Sequence, residues 1–195
     1  MKETHEFEVK RKVFHMIFGV SIIAVMYLFK DMGQLFLLTF LAMCMVVSHL
    51  YNKIRLPIVR YFIEGFGRRA ETDSFPGKGG ILFLATALVL FTIMPIEYAA
   101  ASVMILALGD TFANIVGRLF GKTYMPFSEE KKLEGTMAGI IAATIGASIF
   151  VPVLMAFIAS FIAMLVESVD TNWLDDNITV PLVAAIVLSL IRYLF

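Results

Sequence analysis

The sequence predicts an all-α fold: a polytopic integral membrane bundle of about seven transmembrane helices, with the N-terminus in the cytoplasm. Three observations predict it. Apolar residues make up 59% of the chain, against about 45–50% in soluble domains. Several apolar runs approach the ~20 residues that a helix needs to cross a bilayer. On the topology those runs imply, the basic residues fall almost entirely on one side, as the positive-inside rule requires. The longest polar stretch, Asn52 to Gly79, is too short for a soluble domain, so residues 1–195 are read as one membrane-embedded domain.

The charged N-terminus, MKETHEFEVKRK, lacks a small-residue cleavage site, so the first span is expected to be retained. That span runs from about Val13 to Phe29 and is closed by Lys30, Asp31 and Gly33; a second runs from Gln34 to about Tyr51. Pro57 then sits where a helix can begin. After it, Ile58, Val59, Phe62, Ile63 and Phe66 share one face, and Arg60, Glu64 and Arg68 the other. This suits a short amphipathic helix in the headgroup layer, with a solvated cytoplasmic helix as the alternative. The third span is about Gly80 to Met94, ended by Pro95, and the fourth runs from Tyr98 to about Phe120. Residues Gly135 to Val166 are too long for one crossing, and Pro152 divides them into two short spans. The last span starts near Ile178, which gives seven crossings.

With the N-terminus cytoplasmic, one side receives the basic residues of the N-terminal tail, of Asn52–Gly79 and of Arg118–Lys132, and the other only Lys30 and Arg192. The loop Glu167 to Asn177, with four carboxylates and no basic residue, is placed on the basic side by segment parity alone. Cys44 is alone in an apolar run, which excludes a disulfide framework and a cysteine-rich zinc site.

Chemistry is concentrated around Gly109–Lys122, GDTFANIVGRLFGK. At about 100° per residue, Asp110, Asn114, Gly117, Arg118 and Gly121 fall on one helix face. An ionisable residue inside a membrane span is costly and marks function before structure; the alternative is an ion pair closing two helix ends. Three more polar clusters share the same side. They are Arg11, Lys12 and His15; Pro76-Gly77-Lys78-Gly79-Gly80; and Glu167 with Asp170, Asp175, Asp176 and Asn177. The run Lys131 to Thr136, KKLEGT, follows the Asp110 stripe.

Glycines flanking Lys78 before a helix suit a phosphate, because backbone N–H groups can approach closely and the helix N-terminus is electropositive. A nucleoside triphosphate also needs a divalent cation, commonly Mg²⁺, held by one or two carboxylates. Phosphoryl transfer requires positioning, charge neutralisation and a base for the attacking hydroxyl, and a site at the bilayer edge suits a lipid alcohol. Gly135, Gly139 and Ala143 form a small-xxx-small pattern that more often means tight helix packing. Gly117 to Thr123, GRLFGKT, has one residue too few for a phosphate-binding P-loop and follows a membrane helix, so a P-loop fold is rejected.

These motifs together resemble the polyprenol kinase family, which includes dolichol kinase, phytol kinase and CTP-dependent diacylglycerol kinase. The resemblance rests on Arg11 to Gly19 (RKxxHxxxG), Gly109 to Lys122, Lys132 to Thr136 and the ES…DDNITVPL ending from Glu167 to Leu182, in the family's order. It implies transfer of the γ-phosphate of CTP to a long isoprenoid or glycerolipid alcohol on the cytoplasmic face, with a divalent metal. Carried over by residue, Asp110, Asn114, Gly117 and Arg118 match the family's GD…GR helix. Lys132, Glu134, Gly135 and Thr136 match its K-x-E-G-T loop, and Glu167, Asp176 and Asn177 its E…DN ending.

The expected roles follow. Asp110, Glu167 and Asp176 are the candidate catalytic residues and Mg²⁺ ligands, with either Asp110 or Glu167 accepting the hydroxyl proton. Lys78, Gly79, Asn114, Arg118, Lys132, Glu134, Gly135, Thr136 and Asn177 bind nucleotide and phosphate, supported by Arg11, Lys12 and His15. Asp110→Asn is expected to abolish turnover with little loss of fold. The expected partners are CTP or another nucleotide, a membrane lipid alcohol and the bilayer of the cell membrane or an endomembrane, with no nucleic acid; a homodimer is allowed. Two rivals stand beside this reading. A CDP-lipid synthase would release pyrophosphate and carry a PGHGG-then-Asp-Arg run near the C-terminus, whereas PGKGG here precedes the third span. A transporter or lipid-binding protein would place its polar groups near mid-bilayer in interrupted helices.

Overall fold

The computed structural model describes residues 5–51, 57, 61, 63, 65, 75–126, 128, 130–169 and 175–194. Among them are seven named helices: α1 (His5–Phe29), α2 (Asp31–Leu50), α3 (Lys78–Ile93), α4 (Ile96–Phe120), α5 (Leu133–Ala147), α6 (Val153–Glu167) and α7 (Asp176–Leu194). No strand occurs among the described residues; a single antiparallel bridge, Tyr124 to Lys132, closes the loop before α5. The seven expected spans are matched by these seven helices. By length and composition, α1, α2 and α4 are long and apolar enough to cross a membrane, while α3, α5 and α6 are apolar but shorter. The amphipathic helix expected after Pro57 lies mostly outside the described residues; Pro57, Tyr61, Ile63 and Gly65 are helical.

The breaks have local causes. Among the described residues helix α1 is already formed at His5, ahead of the expected span start at Val13, and Glu6 pairs with Lys10 and Glu8 with Arg11 along these turns. Lys30, at φ 45°, reverses the chain into α2. Pro95 caps α4 after the short break that ends α3. Pro152 caps α6 after the turn at Ser148–Val151, so the division read at Pro152 holds. Pro181 lies inside α7 and is fully buried, and it offers no N–H to the Asn177 carbonyl four residues back.

Helix α4 is the axis of the bundle. Its apolar stretch is 72% buried, against 28% for α1 and 17% for α2. It touches α1, α3, α5, α6 and α7. The closest approach is to α5, and small residues allow it. A Cβ at Gly139 would lie 2.8 Å from the Gly109 carbonyl and 2.9 Å from the Ala113 Cβ; one at Gly135 would collide with the Ala113 carbonyl. The packing reading of Gly139 and Ala143 holds, and Gly135 serves the same interface.

Contacts sort the molecule into two ends. At one, Tyr27 stacks near Phe150, Gln34 donates to the Phe91 carbonyl, and Arg192 lies over Tyr98 beside a cavity of about 240 Å³. The other end gathers most of the charged side chains among the described residues.

Candidate active site

The deepest pair at the charged end joins α1 to α4. Lys12 Nζ donates to both Asp110 carboxylate oxygens at 2.6 Å, and both residues are buried. Thr111 Oγ1 donates to the Lys12 carbonyl, so the backbone on each side is fixed as well. His15, one turn further along α1, places Nδ1 3.9 Å from Asp110 Oδ2 and its ring 4.5 Å from that of Phe83. Neither of its ring nitrogens makes a hydrogen bond of normal geometry. Nearer the end, Glu8 accepts from Arg11 at 2.9 Å and lies 3.2 Å from the Arg118 guanidinium, which ties α1 to α4 a second time.

The loop from Gly121 to Lys132 is a small hairpin. Met125 N–H donates to the Lys131 carbonyl and Leu133 N–H to that of Thr123, while Ser128 Oγ accepts from the Lys131 N–H. Glu134 accepts from the Thr123 N–H and closes the hairpin. In extended backbone neighbouring side chains point to opposite faces. Lys132 accordingly lies over the Tyr124 ring, 2.8 Å from its centroid, while Lys131 points inward. Lys131 hydrogen-bonds Glu167 Oε1 at the end of α6 and comes within 3.7 Å of Asp176 Oδ2 at the start of α7. Burial disfavours the Lys131 ammonium, but the carboxylates of Glu167, Asp176 and Asp110 outweigh it and raise its pKa above the ordinary lysine value.

The third group joins α3 to α7. Asp175 caps α7: its Oδ1 accepts from the Asn177 N–H at 3.1 Å and from Asn177 Nδ2 at 2.6 Å. Its other oxygen lies 3.8 Å from Lys78 Nζ. Asn177 in turn sits against Gly79, where an added Cβ would be 3.3 Å from its amide nitrogen. Gly77 takes φ 75° to open α3, a conformation that favours glycine. Ser48 at the end of α2 donates to the Pro76 carbonyl and fixes this loop from behind.

The structure thus brings Lys12, His15, Lys78, Gly79, Asp110, Glu167, Asp176 and Asn177 to one end, with Arg11 and Arg118 beside them. Lys78 and the acidic ending are neighbours, as the parity argument required. Other expected residues are placed differently. Lys132 sits on Tyr124, Glu134 braces the hairpin, Gly135 is buried against Gly117, and the Thr136 hydroxyl donates to the Lys132 carbonyl. Asn114 is half-buried on α4. The Lys12 pair also overturns one expectation about Asp110→Asn, since the change would strand a buried ammonium and cost stability.

Three contributors were given no role by the sequence reading, although Lys131 and Asp175 lie in its polar clusters. Lys131 was hidden because two adjacent lysines give no sign of which faces inward; the hairpin decides it. Asp175 was readable as a helix cap, an Asp just before an apolar run. Glu8 looked like one more charge in a polar tail.

Carboxylate oxygens are the ligands Mg²⁺ prefers, and Glu167 Oε2 is buried without a hydrogen-bond partner. Among the described residues no group of three or more His, Cys, Asp or Glu is placed to hold an ion. Mg²⁺ commonly takes one or two carboxylates and completes its shell with phosphates and waters, so Glu167 and Asp176 fit an ion that arrives with a nucleotide.

No family model matches the chain, and no solved structure matches it. Curated relatives do. The chain is 29% identical over 90 residues to CTP-dependent diacylglycerol kinase 1 of Schizosaccharomyces pombe, covering 46% of this chain and 37% of that protein. It is 26% identical over 137 residues to probable phytol kinase 1, chloroplastic, of Oryza sativa subsp. japonica, covering 68% and 43%. The family resemblance is borne out. An uncharacterized protein of Methanocaldococcus jannaschii is 28% identical over 128 residues, covering 62% and 65%. The chain spans 37% to 65% of the length of these relatives.

Proposed function

We propose that this protein is a membrane lipid kinase that transfers the γ-phosphate of CTP to the hydroxyl of a polyprenol, dolichol-like or other isoprenoid alcohol at the cytoplasmic face. The observation that carries the reading is the meeting of three lysine–carboxylate pairs at one end of the bundle: Lys12 with Asp110, Lys78 with Asp175, and Lys131 with Glu167 and Asp176. Basic and acidic groups in one place are what a metal-bound triphosphate needs, and a transporter would need them at mid-bilayer instead.

In this reading Lys78, Lys131 and Arg118 neutralise the phosphates, with the backbone N–H groups at the start of α3 close behind Lys78. Glu167 and Asp176 would hold Mg²⁺, which supplies charge neutralisation on the β- and γ-phosphate oxygens when bound. Asp110 accepts the hydroxyl proton. The transition state of phosphoryl transfer is loose, so the acceptor needs position more than basicity, and two 2.6 Å hydrogen bonds from Lys12 hold Asp110 in place. The alcohol reaches this carboxylate from the bilayer, where its tail stays. The likeness to a diacylglycerol kinase favours diacylglycerol as the second acceptor class.

Incubating the purified chain with γ-labelled CTP or ATP against isoprenoid alcohols and diacylglycerol tests the proposal. Labelled lipid phosphate with release of CDP is expected. Pyrophosphate release would point to a CDP-lipid synthase, and no turnover with any acceptor would leave only a lipid-binding membrane protein.

A further inference from the structure

We infer that Lys131 is a tethered stand-in for the divalent cation: its ammonium bridges Glu167 and Asp176, yields them to a metal bound with nucleotide, and turns to the phosphates. The phosphate half of this rests on the kinase reading; the exchange half rests on the carboxylates alone.

Lys131 stands between two carboxylates that enter from different helices, Glu167 ending α6 and Asp176 starting α7. One ammonium does not satisfy them, because Glu167 Oε2 remains buried without a partner. Glu167 is buried and Asp176 is 31% exposed; two carboxylates brought together repel unless a cation lies between them, and Lys131 supplies it. Its attachment suits exchange. The hairpin fixes its backbone through the Ser128 hydroxyl and the Met125 N–H, while its side chain is 28% exposed at the end of a flexible four-carbon stem. The contrast is Lys12, whose side chain is 9% exposed and donates to both Asp110 oxygens, so that neither is left without a partner as Glu167 Oε2 is. Charge balances through the exchange. A dication neutralises two carboxylates fully, and the displaced ammonium carries its single charge to an anion that arrives with the metal.

The test uses the full chain in detergent micelles, with Mn²⁺ alone and Mn²⁺ with CTP as probes, and reads free Mn²⁺ by electron paramagnetic resonance. Lys131→Met is expected to bind Mn²⁺ alone at least tenfold more tightly than the unaltered chain, and to lose most of the gain in Mn²⁺ affinity that CTP gives. Lys131→Arg keeps the bridging cation and is expected to show no such rise. Mn²⁺ affinity unchanged or weaker in Lys131→Met, or raised equally in Lys131→Arg, would overturn the inference. The unaltered chain gives a second readout that does not depend on a variant folding. Millimolar Mn²⁺ alone should increase modification of Lys131 by an amine reagent, and adding CTP should reduce it again; constant modification refutes the exchange. A chain that exchanges Lys131 for Mn²⁺ yet phosphorylates no alcohol would end the kinase reading and leave this one standing.

Discussion

At the scale of single residues, the buried Lys12–Asp110 pair sets the strongest expectation. Removing one partner of a buried ion pair typically costs about 3–5 kcal/mol, because the other charge stays behind. Lys12→Met and Asp110→Asn are each expected to lower thermal stability by that order. The double variant should lose clearly less than the sum, since no lone charge remains. Unfolding of the four proteins in one detergent measures this, and additive losses would mean that the pair is not coupled. Turnover should vanish in both variants that lack Asp110. Sequence reading found Asp110 from its cost in a membrane helix, but not its partner. Pairing Lys12 with a residue 98 positions away needs the crossing of α1 and α4. Lys131 and Lys132 show the same limit, since they are chemically identical and only the hairpin distinguishes them.

At the scale of elements, the contact of α4 with α5 decides where the hairpin and Lys131 sit. Gly139→Ala would force its methyl against the Gly109 carbonyl and Ala113. Overpacking of this kind costs about 1–3 kcal/mol, and shifting α5 would carry Lys131 away from Glu167. Lower thermal stability and lower turnover are expected together. Gly80→Ala is the control: its Cβ would meet nothing within 4 Å, and alanine favours a helix over glycine by about 0.5–1 kcal/mol. That variant should be as stable as the parent or slightly more so, and a loss matching that of Gly139→Ala would refute the packing argument. The element pattern was legible because apolar runs, Pro95 and Pro152 are strong local signals. The helical turns of α1 ahead of Val13 were not, since a stretch dominated by charges, with pairs such as Glu6–Lys10, carries no apolar run.

At the scale of the whole molecule, the charged groups collect at one end and the proposal places that end in the cytoplasm. With Cys44 replaced, Glu130→Cys at the charged end and Glu97→Cys at the other, both exposed positions, test it. In sealed vesicles with the cytoplasmic face outward, an impermeant maleimide should modify the first and spare the second; the reverse pattern would invert the topology. The uneven spread of lysine and arginine made this sorting readable before any coordinates, because charge asymmetry acts on the whole chain and survives errors in single boundaries. The helix lengths carry a further consequence. Helices α3, α5 and α6 have 16, 15 and 15 residues, about 22–24 Å at ~1.5 Å per residue, against a hydrocarbon layer of about 30 Å. A bilayer that these helices cross is expected to thin around that half of the protein, lowering the water boundary toward Glu167 and Lys131 and shortening the climb of a lipid hydroxyl to them. Thin membranes already match this shape, so reconstitution into short-chain phosphatidylcholine should give faster turnover than into long-chain lipid of equal fluidity.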